Sequence, residues 1–170
     1  MKKIIRRGVF ESNSSSSHSI SIMMEPQEVK IPKKIHFRVH QFHEYPWDDD
    51  YMDEMSGRAN YLYSCAIQHE EEDLFKAVLR TMLPKTILIF DEPDIEDDWC
   101  YLINHQAYET SGRLYRTLME NKELMFNYLF DDQTDVVITS DSSDAEAKRG
   151  KDRVYFDEFG KVSYGEEDEE

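Results

Sequence analysis

The sequence predicts a single α+β domain, with one mixed sheet of about five or six strands and about three or four helices. Residues 18–22 alternate between polar and isoleucine side chains, which is typical of a strand. Apolar residues at helical spacing are concentrated in 53–130, and strand patterns return after that stretch. This segregation disfavours an alternating doubly wound fold. We expect the domain to cover residues 1–164 and the acid-rich residues 165–170 to form a disordered tail.

The N-terminal part carries two predicted strands, 2–10 and 18–23, on either side of a polar loop. In the second strand, alternation places His18 on the face of Ile20 and Ile22, with the intervening serines on the other face. A histidine among apolar residues is more often structural than catalytic, and the pattern alone leaves both roles open.

Residues 30–42 predict a further strand that contains two of three closely spaced histidines. His36, His40 and His43 suggest a zinc site at first sight. Alternation places His43 on the face opposite the other two, and no cysteine lies near them. We therefore expect no metal there.

Two helices and a buried strand follow. Residues 52–68 predict a helix, and 70–82 predict a second helix that begins with acids and is stopped by Pro84. The apolar run 86–90 predicts a strand buried on both faces. The acids in 91–98 are either a solvated loop or metal ligands placed after that strand.

The last third of the chain predicts two more helices and two more strands. Thr110 or Ser111 is expected to cap one helix, and Asn121 to separate it from the next helix, which carries Leu124 and Leu129. Residues 135–140 predict a strand, and 153–159 a final edge strand.

Charge narrows the classes of partner. The chain of 170 residues has 36 acids against 20 bases, a formal charge of −16. Such a surface repels nucleic acid and attracts basic proteins. The sequence has no apolar run of membrane-spanning or signal-peptide length, and its two cysteines stand apart. We expect a soluble intracellular protein that contacts neither nucleic acid nor membrane directly.

The segment 11–19 has an unusual density of hydroxyl, amide and imidazole groups. Such groups either form a hydrogen-bonded turn or line a site for an anion. A serine nucleophile would need a histidine as its base, and the catalytic candidates are Ser14, Ser16, His18 and His105. The candidate ligand-binding residues are Arg7, Glu11, Asn13, Ser15, Ser17 and Gln106. We also expect 12–17 to be ordered and to pack close to His105 and Gln106.

The stretch from Arg7 to Ser19 resembles the opening of a family of phage and prophage proteins, which reads roughly Arg-x-Gly-x-Phe-Glu-(Ser/Thr)-Asn-Ser-Ser-Ser-(Ser/Thr)-His-Ser. Residues 103–107 are similar to an Ile-Asp-His-Gln-Ser element of the same proteins, with Asn104 and Ala107 departing from it. The resemblance implies a viral or mobile-element origin, and it therefore implies that the protein acts in the host cytoplasm. It implies no biochemical activity.

Two functional hypotheses follow. The first is an acidic accessory protein that binds, and through that binding inhibits, a host protein with a basic surface, presenting carboxylates as DNA presents phosphates. The alternative is an enzyme or binding protein for a nucleotide or other phosphorylated ligand, which would use the serine-rich segment and His105. The sequence contains no nucleotide-loop, nucleophile-elbow or metalloprotease motif. We expect no cofactor.

Overall fold

The structure is a computed structural model that describes residues 16–25, 28–39, 50–51, 54–93, 103, 108–140 and 145–165. Its strands are β1 (Ser16–Met23), β2 (Lys34–Phe37), β3 (Asp50–Tyr51), β4 (Ile87–Phe90), β5 (Asp135–Ser140), β6 (Arg153–Phe156) and β7 (Val162–Tyr164). Its helices are α1 (Met55–Gln68), α2 (Glu72–Met82), α3 (Tyr108–Glu120) and α4 (Lys122–Phe130). The predicted strand 2–10, most of the serine-rich segment and residues 166–170 lie outside the described residues.

The strands form two sheets, which gives the predicted α+β class. An antiparallel sheet of five strands has the order β3-β5-β1-β6-β7, with β1 at its centre. The strands β2 and β4 form a separate parallel pair. The prediction of one mixed sheet is wrong, because the parallel pair is separate from the antiparallel sheet. Parallel neighbours need a long crossover connection, and here the crossover between β2 and β4 contains α1 and α2.

The face of β1 towards the helices carries the predicted apolar alternation. His18, Ile20 and Ile22 are fully buried on this face, where Tyr61 of α1 meets His18. The opposite face carries Ser17, Ser19 and Ser21, as expected from a period of two.

The helix α1 lies at the centre of the helical layer. It packs against β2 and against the other three helices, and residues 61–67 are all buried. Its buried Arg58 donates from Nε to the carbonyl oxygen of Tyr128 (2.9 Å) and from a terminal nitrogen to that of Leu129 (3.0 Å). These carbonyls lie at the C-terminus of α4, where a cation is favoured by the helix dipole. The guanidinium therefore joins α1 to α4.

Two of the predicted helix boundaries agree with the structure, and one differs from it. The helix α2 ends before Pro84, and the Asn121 side chain caps α4 by accepting from the Leu124 N–H at 3.1 Å. The prediction that Thr110 or Ser111 caps a helix is wrong, because α3 already begins at Tyr108. The Thr110 hydroxyl instead donates to the carbonyl oxygen of Asp157 at 2.8 Å, joining α3 to the turn after β6.

Two predictions about strands are also corrected. The strand β4 is not buried on both faces, since Ile87 is 62% exposed and Ile89 is 36% exposed. The pair β2–β4 packs only one face against the core, through residues such as Phe37. The strand β6 is not at the edge, because β7 pairs with it and takes the edge position. Among the described residues, no helix has both the length and the apolar composition needed to cross a bilayer.

Candidate functional site

A polar cleft lies on the face of the large sheet that points away from the helices, at the start of β1. We call it the sheet cleft. Its volume is about 280 Å³, and it is open to solvent. Two residues of the serine-rich segment, Ser17 and Ser19, line it, so this segment meets the rest of the fold here. The lining residues are Ser17, Ser19, Thr139, Ala145, Glu146, Arg149, Tyr155, Asp157, Glu158 and Phe159.

Strand register assembles the hydroxyl groups on the floor of the cleft. Ser17 of β1 is paired with Thr139 of β5, and residues paired across antiparallel strands point to the same face. Alternation adds Ser19, two residues along β1. The sequence placed Ser17 among candidate ligand-binding residues, and the structure adds Ser19 and Thr139 beside it.

One wall of the cleft is the extended segment 145–150, which crosses the sheet between β5 and β6. The Ala147 N–H donates to the Ser19 hydroxyl at 2.8 Å, and the Lys148 N–H donates to the Asp135 carboxylate at 2.9 Å. These bonds fix the segment above the serine face of β1. The same segment supplies Glu146 and Arg149, whose side chains are 3.9 Å apart.

The other wall is the turn between β6 and β7. The Asp157 carboxylate accepts from the backbone N–H groups of Phe159 (2.9 Å) and Lys161 (2.8 Å), which closes the turn. Gly160 has a φ of 78°, a left-handed conformation that glycine adopts most readily. The adjacent Glu158 carboxylate accepts from the Ser17 hydroxyl, so the turn is joined to the first residues of β1.

An arginine lies over an aromatic ring inside the cleft. The guanidinium carbon of Arg149 is 4.0 Å from the ring centroid of Tyr155, a close cation–π contact. Burial, with a smaller effect of Glu146, raises the pKa of the Tyr155 phenol, while Arg149 acts in the opposite sense. The phenol is therefore protonated at neutral pH and donates to Glu146 at 3.5 Å.

The balance of charge decides what the cleft can accept. Among the described residues, the carboxylates of Glu146, Asp157 and Glu158 line it, against the guanidinium of Arg149. A phosphate would be repelled by this excess of negative charge, whereas an ammonium or guanidinium group would be attracted. The hydroxyl groups of the floor add acceptors for the hydrogen atoms of such a cation.

His18, a candidate base, does not contact the sheet cleft. Its Nδ1 lies 2.7 Å from the Tyr61 hydroxyl, and both side chains are fully buried. Burial lowers the pKa of His18 to about 3 and raises the pKa of Tyr61, so both groups are neutral at pH 7. Alternation places His18 on the face opposite Ser17. This environment is that of a structural histidine.

Most of the other candidates lie outside the described residues. Ser16 pairs with Ser140 at the start of β1 and is described only in its backbone. Outside the description lie Arg7, Glu11, Asn13, Ser14, Ser15, His105 and Gln106. The prediction that 12–17 packs on His105 and Gln106 therefore stays a prediction.

Of the three histidines considered for zinc, the described residues include His36. The Nε2 atom of His36 lies 2.6 Å from a carboxylate oxygen of Asp91, while His40 and His43 are outside the described residues. Within the described ranges, no group of three or more His, Cys, Asp or Glu side chains is arranged to hold a metal ion.

Sequence reasoning missed the walls of the cleft. Glu146 and Arg149 lie between the predicted strands 135–140 and 153–159, and Glu158 lies in the predicted edge strand. Their meeting depends on how β5 and β6 pair with β1. The signal that was present is Asp157-Glu-Phe-Gly160, an aspartate three residues before a glycine, which is typical of a tight turn. Comparisons of the chain with protein-family models, curated proteins and solved structures gave no match.

Proposed function

We propose that the protein is a phage-type acidic accessory protein that binds, and thereby inhibits, a host protein, and that the sheet cleft receives a basic side chain of this partner. The observation that carries the proposal is the charge of the cleft, where the described lining residues include three carboxylates and one guanidinium around an open volume of about 280 Å³. The formal charge of −16 extends the same preference to the whole molecule.

Aromatic groups at the cleft support an interface role. Phe159 is 77% exposed beside Glu158, and exposed aromatic residues next to charges are frequent anchors of protein–protein interfaces. The resemblance of the N-terminal stretch to phage proteins supports a host protein as the partner. A partner that normally binds nucleic acid would offer the lysine and arginine side chains that such a cleft accepts.

The serine-rich segment supports the alternative, an enzyme or binding protein for a phosphorylated ligand, less well. Its described end, Ser17, donates to the Glu158 carboxylate, and that carboxylate would repel a phosphate. The nearby His18 is neutral, buried and on the opposite face of the sheet.

The test uses capture from host lysate with a matched pair of variants. Glu146→Gln combined with Glu158→Gln removes two cleft carboxylates, while Glu120→Gln combined with Glu123→Gln removes two exposed carboxylates of the helical layer. A specific partner should be retained by the wild type and by the helical variant, and its purified form should bind the cleft variant about tenfold or more weakly.

Equal retention by all three proteins would mean that the attraction is a property of the total charge and would contradict a role for the cleft. Retention of no protein at physiological salt would contradict the binding function itself. Melting temperatures of both variants establish that each remains folded before the comparison is made.

A further inference from the structure

A second cavity, which we call the basic cavity, lies between β2 and the start of α1, on the helical side of the large sheet. Its volume is about 420 Å³, which falls within the range of small-molecule sites. None of its lining residues belongs to the sheet cleft. They are Lys34, Ile35, His36, Arg38, Met55, Ser56 and Asn60.

The strand wall of this cavity is basic in an otherwise acidic protein. Residues 28–39 contain four lysine or arginine residues and one acid. Alternation along β2 directs Lys34 and His36 to the same side, and Arg38, directly after the strand, also lines the cavity. Within the described part of the chain, neither Lys34 nor Arg38 has a carboxylate within 4.0 Å, whereas His36 is paired with Asp91. Two cations that have no carboxylate partner among the described residues therefore border the cavity.

The helix wall supplies neutral hydrogen-bond donors and an apolar surface. The Asn60 side-chain oxygen accepts from the Arg38 N–H at 2.8 Å, which orients the amide and leaves its Nδ2 group to donate to a ligand. Ser56 adds a hydroxyl donor, and Met55 adds an apolar side chain that is only partly buried. The wall is the N-terminal part of α1, where the helix dipole also favours negative charge.

We propose that the basic cavity binds the phosphate group of a small phosphorylated molecule of about mononucleotide size, with Lys34 and Arg38 pairing with the phosphate oxygens. Arginine and lysine form charge-assisted hydrogen bonds with phosphate, and the guanidinium fork can contact two oxygens at once. Asn60 and Ser56 donate to the remaining oxygens, and Met55 provides an apolar surface for a ring.

This site is separate from the serine-rich segment and does not depend on the proposed host-binding function. The two sites have opposite charge preferences, since the sheet cleft favours a cation and the basic cavity an anion. A phosphorylated ligand in this protein is therefore expected at β2 and α1, and not beside Ser17.

The test is a titration followed by NMR chemical shifts, with AMP, inorganic phosphate and adenosine as probes. The matched variants are Lys34→Gln with Arg38→Gln, and Lys30→Gln with Lys33→Gln. The latter pair removes two exposed lysines of the same segment that do not line the cavity. AMP should shift the backbone signals of Arg38, Ser56 and Asn60, and the cavity variant should weaken AMP binding at least about tenfold.

The probes distinguish the source of the phosphate. Tighter binding of AMP than of inorganic phosphate supports a nucleotide-like ligand, and equal binding supports the phosphate site with free phosphate as its occupant. Adenosine binding as tightly as AMP, equal loss of binding in both variants, or no shift at these residues with either phosphate-bearing probe would overturn the proposal. Melting temperatures equal to that of the wild type show that both variants remain folded, so that any loss of binding is not caused by unfolding.

Discussion

His18 and Ser17 are neighbours in β1 whose side chains meet opposite environments. Ser17 faces a solvent-accessible cleft and donates to Glu158, while His18 is fully buried against Tyr61. A buried imidazole resists protonation because its charged form would lose its hydration. His18 therefore makes the free energy of unfolding depend on pH, even though it does not line the sheet cleft.

The pH dependence of stability tests this environment. The folded-state pKa of His18 is about 3, against 6.5 for an ordinary histidine, so the unfolded chain binds more protons below pH 6.5. The contribution of His18 to the free energy of unfolding is complete above that pH and is lost as the pH falls towards 3. Between about pH 7 and about pH 5 the loss amounts to roughly 2 kcal/mol. We expect the free energy of unfolding, measured with urea at both pH values, to decrease on acidification by this amount less in His18→Gln than in the wild type. The glutamine has no titrating group.

Tyr61→Phe is the control for this measurement. It removes the hydroxyl partner but leaves the imidazole buried, so it should lower stability at both pH values and keep the pH dependence of the wild type. If wild type and His18→Gln lost the same stability on acidification, the buried neutral histidine would be refuted.

At the scale of elements, the turn between β6 and β7 determines one wall of the sheet cleft. Gly160 has a φ of 78°, and a Cβ atom there would lie 2.7 Å from the Glu109 carbonyl oxygen in α3. Gly160→Ala should therefore lower the free energy of unfolding by about 2 kcal/mol or more, through backbone strain and the close contact. Urea unfolding measures the effect. Lys161→Ala truncates an exposed side chain of the same turn and should change stability by less than about 0.5 kcal/mol.

A Gly160→Ala protein as stable as the wild type would contradict the close approach of this turn to α3. Where the variant still folds, the shifted turn should also displace Glu158, so that binding of a basic partner is weakened. That loss should be absent from Lys161→Ala.

Local sequence patterns predicted the helices and strands better than they predicted which of these elements pack or pair with one another. The period of two in β1, the proline after α2 and the break between helices at Asn121 are determined within a few residues, and the structure has each of them. The exposure of Ile87 and Ile89 depends on which elements cover β4, and the internal position of β6 depends on β7. The sheet cleft likewise combines residues more than one hundred positions apart, such as Ser17 and Glu158, so spacing along the chain could not reveal it.

At the scale of the molecule, the formal charge of −16 is not evenly distributed. One surface favours a cation and another favours an anion. The sheet cleft lies on the face of the large sheet that carries Ser17, and the basic cavity borders α1, which covers the face that carries His18. The large sheet therefore separates the two sites. At physiological ionic strength charges act over about 8 Å, so each site responds mainly to its own residues.

Independence of the two sites is the corresponding prediction. Glu146→Gln with Glu158→Gln should weaken binding of a basic partner and leave the affinity for AMP within about 0.5 kcal/mol, and Lys34→Gln with Arg38→Gln should do the reverse. Combining all four substitutions should give the sum of the separate losses, measured by titration calorimetry with each ligand. The helical variant Glu120→Gln with Glu123→Gln corrects for the change in total charge. A cleft variant that alters AMP affinity beyond this correction would show that the sites are coupled through the sheet, because sites without shared contacts have additive effects.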